Sequence, residues 1–361
     1  MCMTTGEMLS ITSAGTPRMP LGKAVAGSPS PVGRAPHTVA VRPGIYHLVL
    51  DGAPLTPAAG PATLRVRKGF RCGGRSDASW GGRNAQGTVR VTVPWPDGPM
   101  RVFDLEQPRT AEMPIHPAHQ QVGYSYLLHR HHEDEYRPEV AGPRTGAAGI
   151  IICGEHTGTH IDALCHQSDA LVLYGGVKVD SSVQTSRGFK KHAVEDVLPM
   201  LSSGVLLDVA ANKSVEELEP GYAVTSEDLR ACCDRQGVSV EPGSVVLVRT
   251  GNARYWNNAA RYLDGPGMAA SASYWLAEKR VLAVGADNMT WDAPGLRDPE
   301  LGLLPGHLIL LARNGIYIIE NLALEELAAA GTYRFDFICT PLKFVGATGS
   351  PVRPLAVVRS A

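Results

Sequence analysis

Glu155-His156-Thr157-Gly158-Thr159-His160-Ile161-Asp162-Ala163-Leu164-Cys165-His166 is the stretch on which the reading of this chain turns. Three imidazoles and two carboxylates fall within one short segment, with a glycine between the first two histidines. His156 and His160 are spaced i,i+4 and Asp162 follows two residues later, so one helical turn or a tight loop can aim all three at one ion. Two histidines and a carboxylate suit Zn²⁺, Mn²⁺ or Fe²⁺. A closed structural site usually has four protein ligands, whereas a catalytic site keeps a position for water. His166 is either a further ligand or a free general acid/base, because imidazole titrates near neutral pH.

Composition bounds the rest. The chain has 361 residues, 44% hydrophobic and 19% charged, with a formal net charge of −1. That supports a sizeable core and gives no general attraction to nucleic acid or to an acidic membrane. The seven cysteines are odd in number and scattered, which fits a reducing cytosol better than a disulfide framework. No apolar run reaches the roughly 20 residues of a membrane span, and no signal peptide is evident. A cytoplasmic protein acting on a small molecule is expected.

Residues 1–86 are rich in Gly, Pro, Ala and Ser, and arginine and lysine far outnumber acidic residues there. Such a segment buries too little apolar surface to offset its ordering entropy, so a disordered low-complexity extension is expected. A basic arm that touches RNA or a partner is the functional alternative. One apolar island, Gly44–Leu50, has the look of a strand. The folded domain is expected over 87–361, opening with a hairpin of Thr88–Val93 and Met100–Leu105 around the turn Pro94–Pro99. The charged tract His129–Glu135 has no ligand periodicity and reads as a solvated loop.

Downstream, apolar runs alternate with helical patterns. Gly204–Val209, Ser244–Arg249, Val281–Gly285, Ile316–Glu320 and Tyr333–Ile338 read as strands. Thr225 with Asp228 reads as a capping-box variant, Gly237 as a helix stop, and Met268–Lys279 as an amphipathic helix with Trp275 and Leu276 inward. Continuous apolar strands with helices between them predict an α/β fold with a mixed, partly parallel sheet covered on both faces. Polar residues just past strand ends then tend to line the crevice, which selects Thr250, Asp287 and Asn288.

Glu320 ends four consecutive apolar strand residues, where a buried carboxylate needs a cation or a metal. His307 and Glu320 are the pair to bring to the central motif, with Asp162 as a carboxylate bridging to a second ion. On spacing alone, a lone His or Glu in this part of the chain is more often a hydrogen-bonded structural residue.

The central run resembles the H-x-G-T-H-x-D-x-P-x-H signature of the cyclase-type metal-dependent hydrolases, which include kynurenine formamidases (arylformamidases) and isatin hydrolases. Phe103-Asp104-Leu105 and Met113-Pro114 resemble the family's opening strand and substrate-side loop. Gly204–Val209, Pro242–Gly251, Gly285–Asp287, Asn314–Leu322 and the stretch from Pro341 to Arg353 resemble its later blocks in the same order. The resemblance implies a single swivelling β/β/α domain, usually oligomeric (a homodimer or homotetramer) with sites near subunit contacts. It implies His156, His160 and Asp162 as metal ligands, His307 and Glu320 completing a second site, and His166 as proton carrier. One or two divalent ions per subunit follow, Zn²⁺ or Mn²⁺. Met113, Pro114, Asp287 and Asn288 are the expected substrate-side residues. The expected chemistry is hydrolysis of an amide-type C–N bond, in an arylformamide or cyclic amide, by metal-activated water. A lactone or ester hydrolase, or a noncatalytic metal-binding member, is the alternative. Leu164 stands where the signature has proline, which is expected to alter the pocket wall.

Overall fold

Val245-Val246-Leu247-Val248 has no polar position because the strand that it forms is covered on both faces. The computed structural model describes residues 91–359 apart from 96, 97 and 135. These belong to one compact unit, Gly74–Ala361. The extension 1–86, the boundary near Gly87 and the island Gly44–Leu50 lie outside the described residues.

Ten strands make one mixed sheet. In chain order they are β1 (Val91–Trp95), β2 (Gly98–Asp104), β5 (His160–Asp162), β6 (Met200–Asp208), β7 (Val245–Arg249), β8 (Ala283–Ala286), β9 (Tyr317–Glu320), β10 (Arg334–Cys339), β11 (Gly349–Pro351) and β12 (Leu355–Arg359). The intervening β3 (Tyr124–Arg130) and β4 (Ala148–Cys153) form a separate two-stranded ribbon. The spatial order is β1-β2-β12-β10-β6-β7-β8-β9-β5-β11. Only β6 to β9 run parallel to one another, and every other pair is antiparallel.

The strands expected from Met100 onward are all present, shifted by a few residues at their ends. The opening hairpin is tighter than expected, because pairing continues to Trp95 opposite Gly98. Pro94 is accommodated on the sheet's edge strand, where a missing N–H is tolerated. Thr225 and Asp228 form the capping box of helix α1 (Ser226–Gln236), and Gly237 ends it in a left-handed conformation, φ 62°. Helix α2 (Ala270–Glu278) starts later than expected because Gly267–Met268 pairs with Ala223–Val224.

Strand alternation divides the interior into two cores. Leu207, Val246, Val248, Val284 and Ile318 pack beneath α1 and α2. Leu206, Val245, Leu247, Ala283, Ile161 and Ile319 face the opposite way. At one end of the sheet, β9 pairs with β5 so that Glu320 lies opposite His160 and Ile319 opposite Ile161. Ile161 therefore anchors β5 in one core, while His160 and Asp162 emerge together on the other face.

The tract His129–Glu135 differs from the expected loop. His129 and Arg130 end β3, and the turn that follows caps the ribbon. Among the described residues no helix is long and apolar enough to cross a membrane.

Candidate metal centre

His156 and His160 do not share a helical turn. Residues 154–159 form a loop that enters β5 directly. Gly158 takes φ +65°, and a Cβ there would lie 2.6 Å from Arg109 Nη1, so only glycine fits. Arg109 is the clamp of this loop. Its guanidinium donates to the carbonyls of Thr157 and Thr159, and its Nε donates to Glu106 at 3.0 Å. From the other side, Asn321 Nδ2 donates to the Gly158 carbonyl at 2.9 Å. Gly349 lets the next strand approach, since a Cβ there would sit 2.7 Å from His156 Cε1.

Four buried side chains converge beyond the loop. His160 Nε2 lies 3.5 Å from Asp162 Oδ1 and 3.4 Å from Glu320 Oε2. His307 Nε2 lies 3.5 Å from Asp162 Oδ2 and 3.4 Å from Glu320 Oε1. A tetrahedron with metal–ligand bonds of about 2.1 Å has edges of about 3.4 Å, so these spacings are those of ligands to one small cation. Asp162 Oδ2 and Glu320 Oε1 are buried with no hydrogen-bond partner. Two orphaned carboxylate oxygens in a buried site fit a cation, the partner that an anionic oxygen requires when water is excluded.

The imidazoles are oriented from behind. His160 Nδ1 lies 2.8 Å from the Gly158 carbonyl, so it donates and leaves the Nε2 lone pair facing the carboxylates. His307 Nδ1 lies 2.8 Å from Asp292 Oδ2, with the same consequence. Asp292 also accepts the backbone N–H groups of Gly306 and His307, at 2.6 and 3.2 Å. At His156, Thr348 Oγ1 donates to Glu155 at 2.7 Å and lies 2.8 Å from His156 Nε2, which therefore donates to it. His156 Nδ1 is thereby turned toward Asp162 Oδ1 at 2.8 Å. Carboxylate, carbonyl or hydroxyl partners of this kind fix the tautomer that a metal-ligating histidine needs.

Electrostatics reflect this crowding. Burial alone would lower the pKa of His307, but the neighbouring carboxylates of Asp162, Asp292 and Glu320 outweigh it and hold it well above the usual value. His160 is likewise raised against its burial, by Asp162 and Glu320. Burial would raise Asp162, yet His166, His156, His160 and His307 hold it well below the usual carboxylate range. Glu320 is raised, by burial and then by the charge of Asp162. The carboxylates thus favour positive charge at this place, on the imidazoles or on an ion.

His166 sits at the mouth, its ring centroid 4.0 Å from that of His156 and 6.0 Å from that of His307. Burial drives its pKa well below the usual value, Asp162 opposes this, and the neighbouring imidazoles add to it. His156, Asp162 and His166 have ligand atoms within 4.8 Å of one another, as do His160, Asp162 and Glu320. Asp162 thus belongs to both groups, but the grouping differs from the expected one: His160, His307 and Glu320 gather on one side of it and His156 and His166 on the other.

The mouth opens into a cavity of about 150 Å³ whose lining includes Pro114, His119, His166, Gln167, Met289 and Asn321. A cavity of that size holds about one benzene ring. Of the four expected substrate-side residues, only Pro114 lines it. Met113 packs inward on Trp256, Tyr262 and Met289. Asp287 accepts hydrogen bonds from Thr250 N, Thr250 Oγ1 and Gly251 N, and Asn288 donates to the Pro266 and Trp291 carbonyls. Asp287 and the Asn288 amide nitrogen are taken up in holding the turns that follow β7 and β8. Leu164 is buried in a hydrophobic core rather than in the cavity wall.

Three groups escaped the sequence reading. Arg109 and Asp292 carry no local signature. His116 and His119 follow the Met-Pro loop and line the cavity. His119 stacks on His156 with centroids 5.0 Å apart, and burial, reinforced by His156, His160 and His116, pushes its pKa down to about 4. The spacing His-x-x-His was the available signal.

The fold has known relatives. A family model described as "Putative cyclase" matches residues 103–293, just over half of the chain, and the chain belongs to this cyclase family. The match includes the motif from His156 to His166 and ends before His307 and Glu320, which the fold brings to it. A crystal structure described as a novel cyclase is 30% identical with a TM-score of 0.63, covering 71% of this chain and 86% of that one. The isatin hydrolase of Roseibium aggregatum is 27% identical over 222 residues, 58% of this chain and 74% of the relative. Cyclase-like protein 2 of Arabidopsis thaliana is 27% identical over 263 residues, 71% of this chain and 79% of the relative.

Proposed function

We propose that this chain is a metal-dependent hydrolase that opens an amide-type C–N bond in a small arylformamide or cyclic amide. The observation that carries the reading is the pair of orphaned oxygens on Asp162 and Glu320, buried between two imidazoles whose tautomers are fixed from behind. The likeness to an isatin hydrolase supports the substrate class. A cavity with room for one aromatic ring suits it as well.

His160, Asp162, His307 and Glu320 would hold the first ion, and His156 with Asp162 a second. Zn²⁺ or Mn²⁺ in such a site supplies Lewis-acid polarisation of a carbonyl and activation of water. The remaining work falls to the chain. His166 is held neutral beside the cluster and moves a proton from the attacking water to the departing nitrogen. Asp292, Glu155 with Thr348, and the Gly158 carbonyl keep three imidazoles aimed. Pro114 and Met289 supply apolar wall against the ring and keep water away from it. The free cysteines among the described residues, including buried Cys165, Cys232 and Cys339, support a reducing compartment such as the cytoplasm.

The test is a panel of an isatin-type lactam, an N-formyl arylamine and an aryl lactone, assayed with metal-stripped protein and after addition of Mn²⁺ or Zn²⁺. Hydrolysis of an amide substrate only with metal is expected. Cleavage of the lactone alone would move the reading to an ester-type hydrolase. Stoichiometric metal with no turnover on any of the three would leave a metal-binding protein and overturn it.

A further inference from the structure

The segment 252–263 follows β7 and supplies none of the candidate ligands. Its short helix, Ala259–Leu263, nonetheless drives Tyr262 into the interior, where it is 1% exposed. The ring packs on Met113, Trp256 and Met289. A buried phenol needs a partner for its hydroxyl. Tyr262 O–H donates to Asn321 Oδ1 at 2.9 Å. Burial, reinforced by the charges of Asp287 and Glu320, holds its pKa well above the usual value, so the hydroxyl keeps its proton and remains a donor.

That bond fixes which way the Asn321 amide faces. With Oδ1 turned to the phenol, Nδ2 donates to the Gly158 carbonyl at 2.9 Å. The same carbonyl accepts His160 Nδ1 at 2.8 Å. A carbonyl oxygen has two lone pairs and can serve both donors at once. Asn321 is held in its turn: its own carbonyl accepts Thr159 Oγ1 at 2.6 Å, and its N–H donates to the Asn288 carbonyl at 2.9 Å. Its φ of 59° is left-handed, a conformation that asparagine tolerates better than most residues. Arg109 clamps the carbonyls of Thr157 and Thr159 and leaves that of Gly158, between them, to Asn321.

We propose that Tyr262 is a positioning residue for the metal centre, acting through Asn321 and the Gly158 carbonyl to hold His160 in its ligand orientation. The proposal rests on the metal-dependent reading of the site. Tyr262 is not among the residues that line the cavity, so it acts on the ion through ring orientation and not by touching substrate. Hydrogen bonds that orient a ligating imidazole from behind strengthen the binding of the metal, and their loss weakens it about 10–100-fold.

The test is titration of the metal-stripped full chain with Zn²⁺ in competition with a chelator. Tyr262→Phe, which deletes only the hydroxyl, should raise the dissociation constant about tenfold, and Asn321→Gly, which keeps the left-handed backbone, about 10–100-fold. Adding Tyr262→Phe to Asn321→Gly should change it by less than about twofold, because the path is already cut. Tyr255→Phe alters the same segment, but its hydroxyl donates to Glu217 at 2.7 Å, and affinity should stay at the wild-type value. The visible spectrum of the Co²⁺-loaded protein, which reports ligand geometry, should shift in Tyr262→Phe and not in Tyr255→Phe. Wild-type affinity in Tyr262→Phe overturns the proposal and leaves the metal-dependent reading standing. Effects that multiply in the double variant, or an unshifted Co²⁺ spectrum, do the same. A wild-type chain that binds no Zn²⁺ overturns both.

Discussion

The stretches 148–153 and 154–166 are continuous in sequence and break the same rule in opposite directions. In the first, Ile150, Ile151 and Ile152 are exposed. In the second, His156, His160 and Asp162 are buried, and Glu320 and His307 join them there. Folded chains put apolar groups inside and charged groups outside, so each stretch departs from the rule in its own direction. The buried polar cluster fits a small cation. The ribbon's apolar side chains stay exposed among the described residues. Neighbouring residues thus meet opposite surroundings, and a single motif search along the sequence would have registered only the polar cluster.

The largest test of that contrast is Asp162→Ala. It removes the carboxylate shared by both ligand groups and leaves His160 and His307 facing Glu320 alone. Stoichiometric metal binding should be lost, measured by elemental analysis, and stability should fall by about 3–5 kcal/mol, measured by urea unfolding. A variant that still binds metal stoichiometrically would show that the cluster is an internal charge network. Next comes His166→Ala, which should lower kcat by about 10²–10⁴-fold while metal content is retained. Parallel loss of metal would make His166 a ligand. Asp292→Asn should weaken metal affinity by about 10–100-fold through His307, with the fold intact by circular dichroism. Full affinity in that variant would show that the orientation of His307 does not depend on Asp292.

A smaller effect follows from the raised pKa values of His160 and His307. The neighbouring carboxylates favour the protonated form of both imidazoles in the metal-free protein, and a cation competes with those protons. Metal affinity should therefore rise with pH, and calorimetry in buffers of different ionisation enthalpy should register at least one proton released per ion. Affinity that is flat between pH 6 and 8 would mean that the imidazoles are already neutral and the carboxylates alone carry the site.

How much of this could be read from the chain depended on distance along it. The candidate ligands in 156–166 lie close together in the chain, so spacing pointed to them. Glu320 was accessible because a carboxylate at the end of four apolar residues demands a partner, though the sequence could not say which. The crevice rule selected Asp287 and Asn288, but Asp287 spends its oxygens on Thr250 and Gly251. A rule about strand ends cannot foresee that a short carboxylate will be used up by the adjacent turn.

The sequence by itself determined the apolar strands, the capped helix α1 and the local set of ligands, because each depends on residues within a few positions. Only the tertiary structure decided that Glu320 stands opposite His160, that Asp292 turns His307, and that Arg109 clamps the loop. These contacts join residues far apart in the chain. Strand register and packing, rather than composition or periodicity, bring them within hydrogen-bonding distance. The same holds for the ribbon: nothing local to Ile150-Ile151-Ile152 says that the fold leaves them exposed.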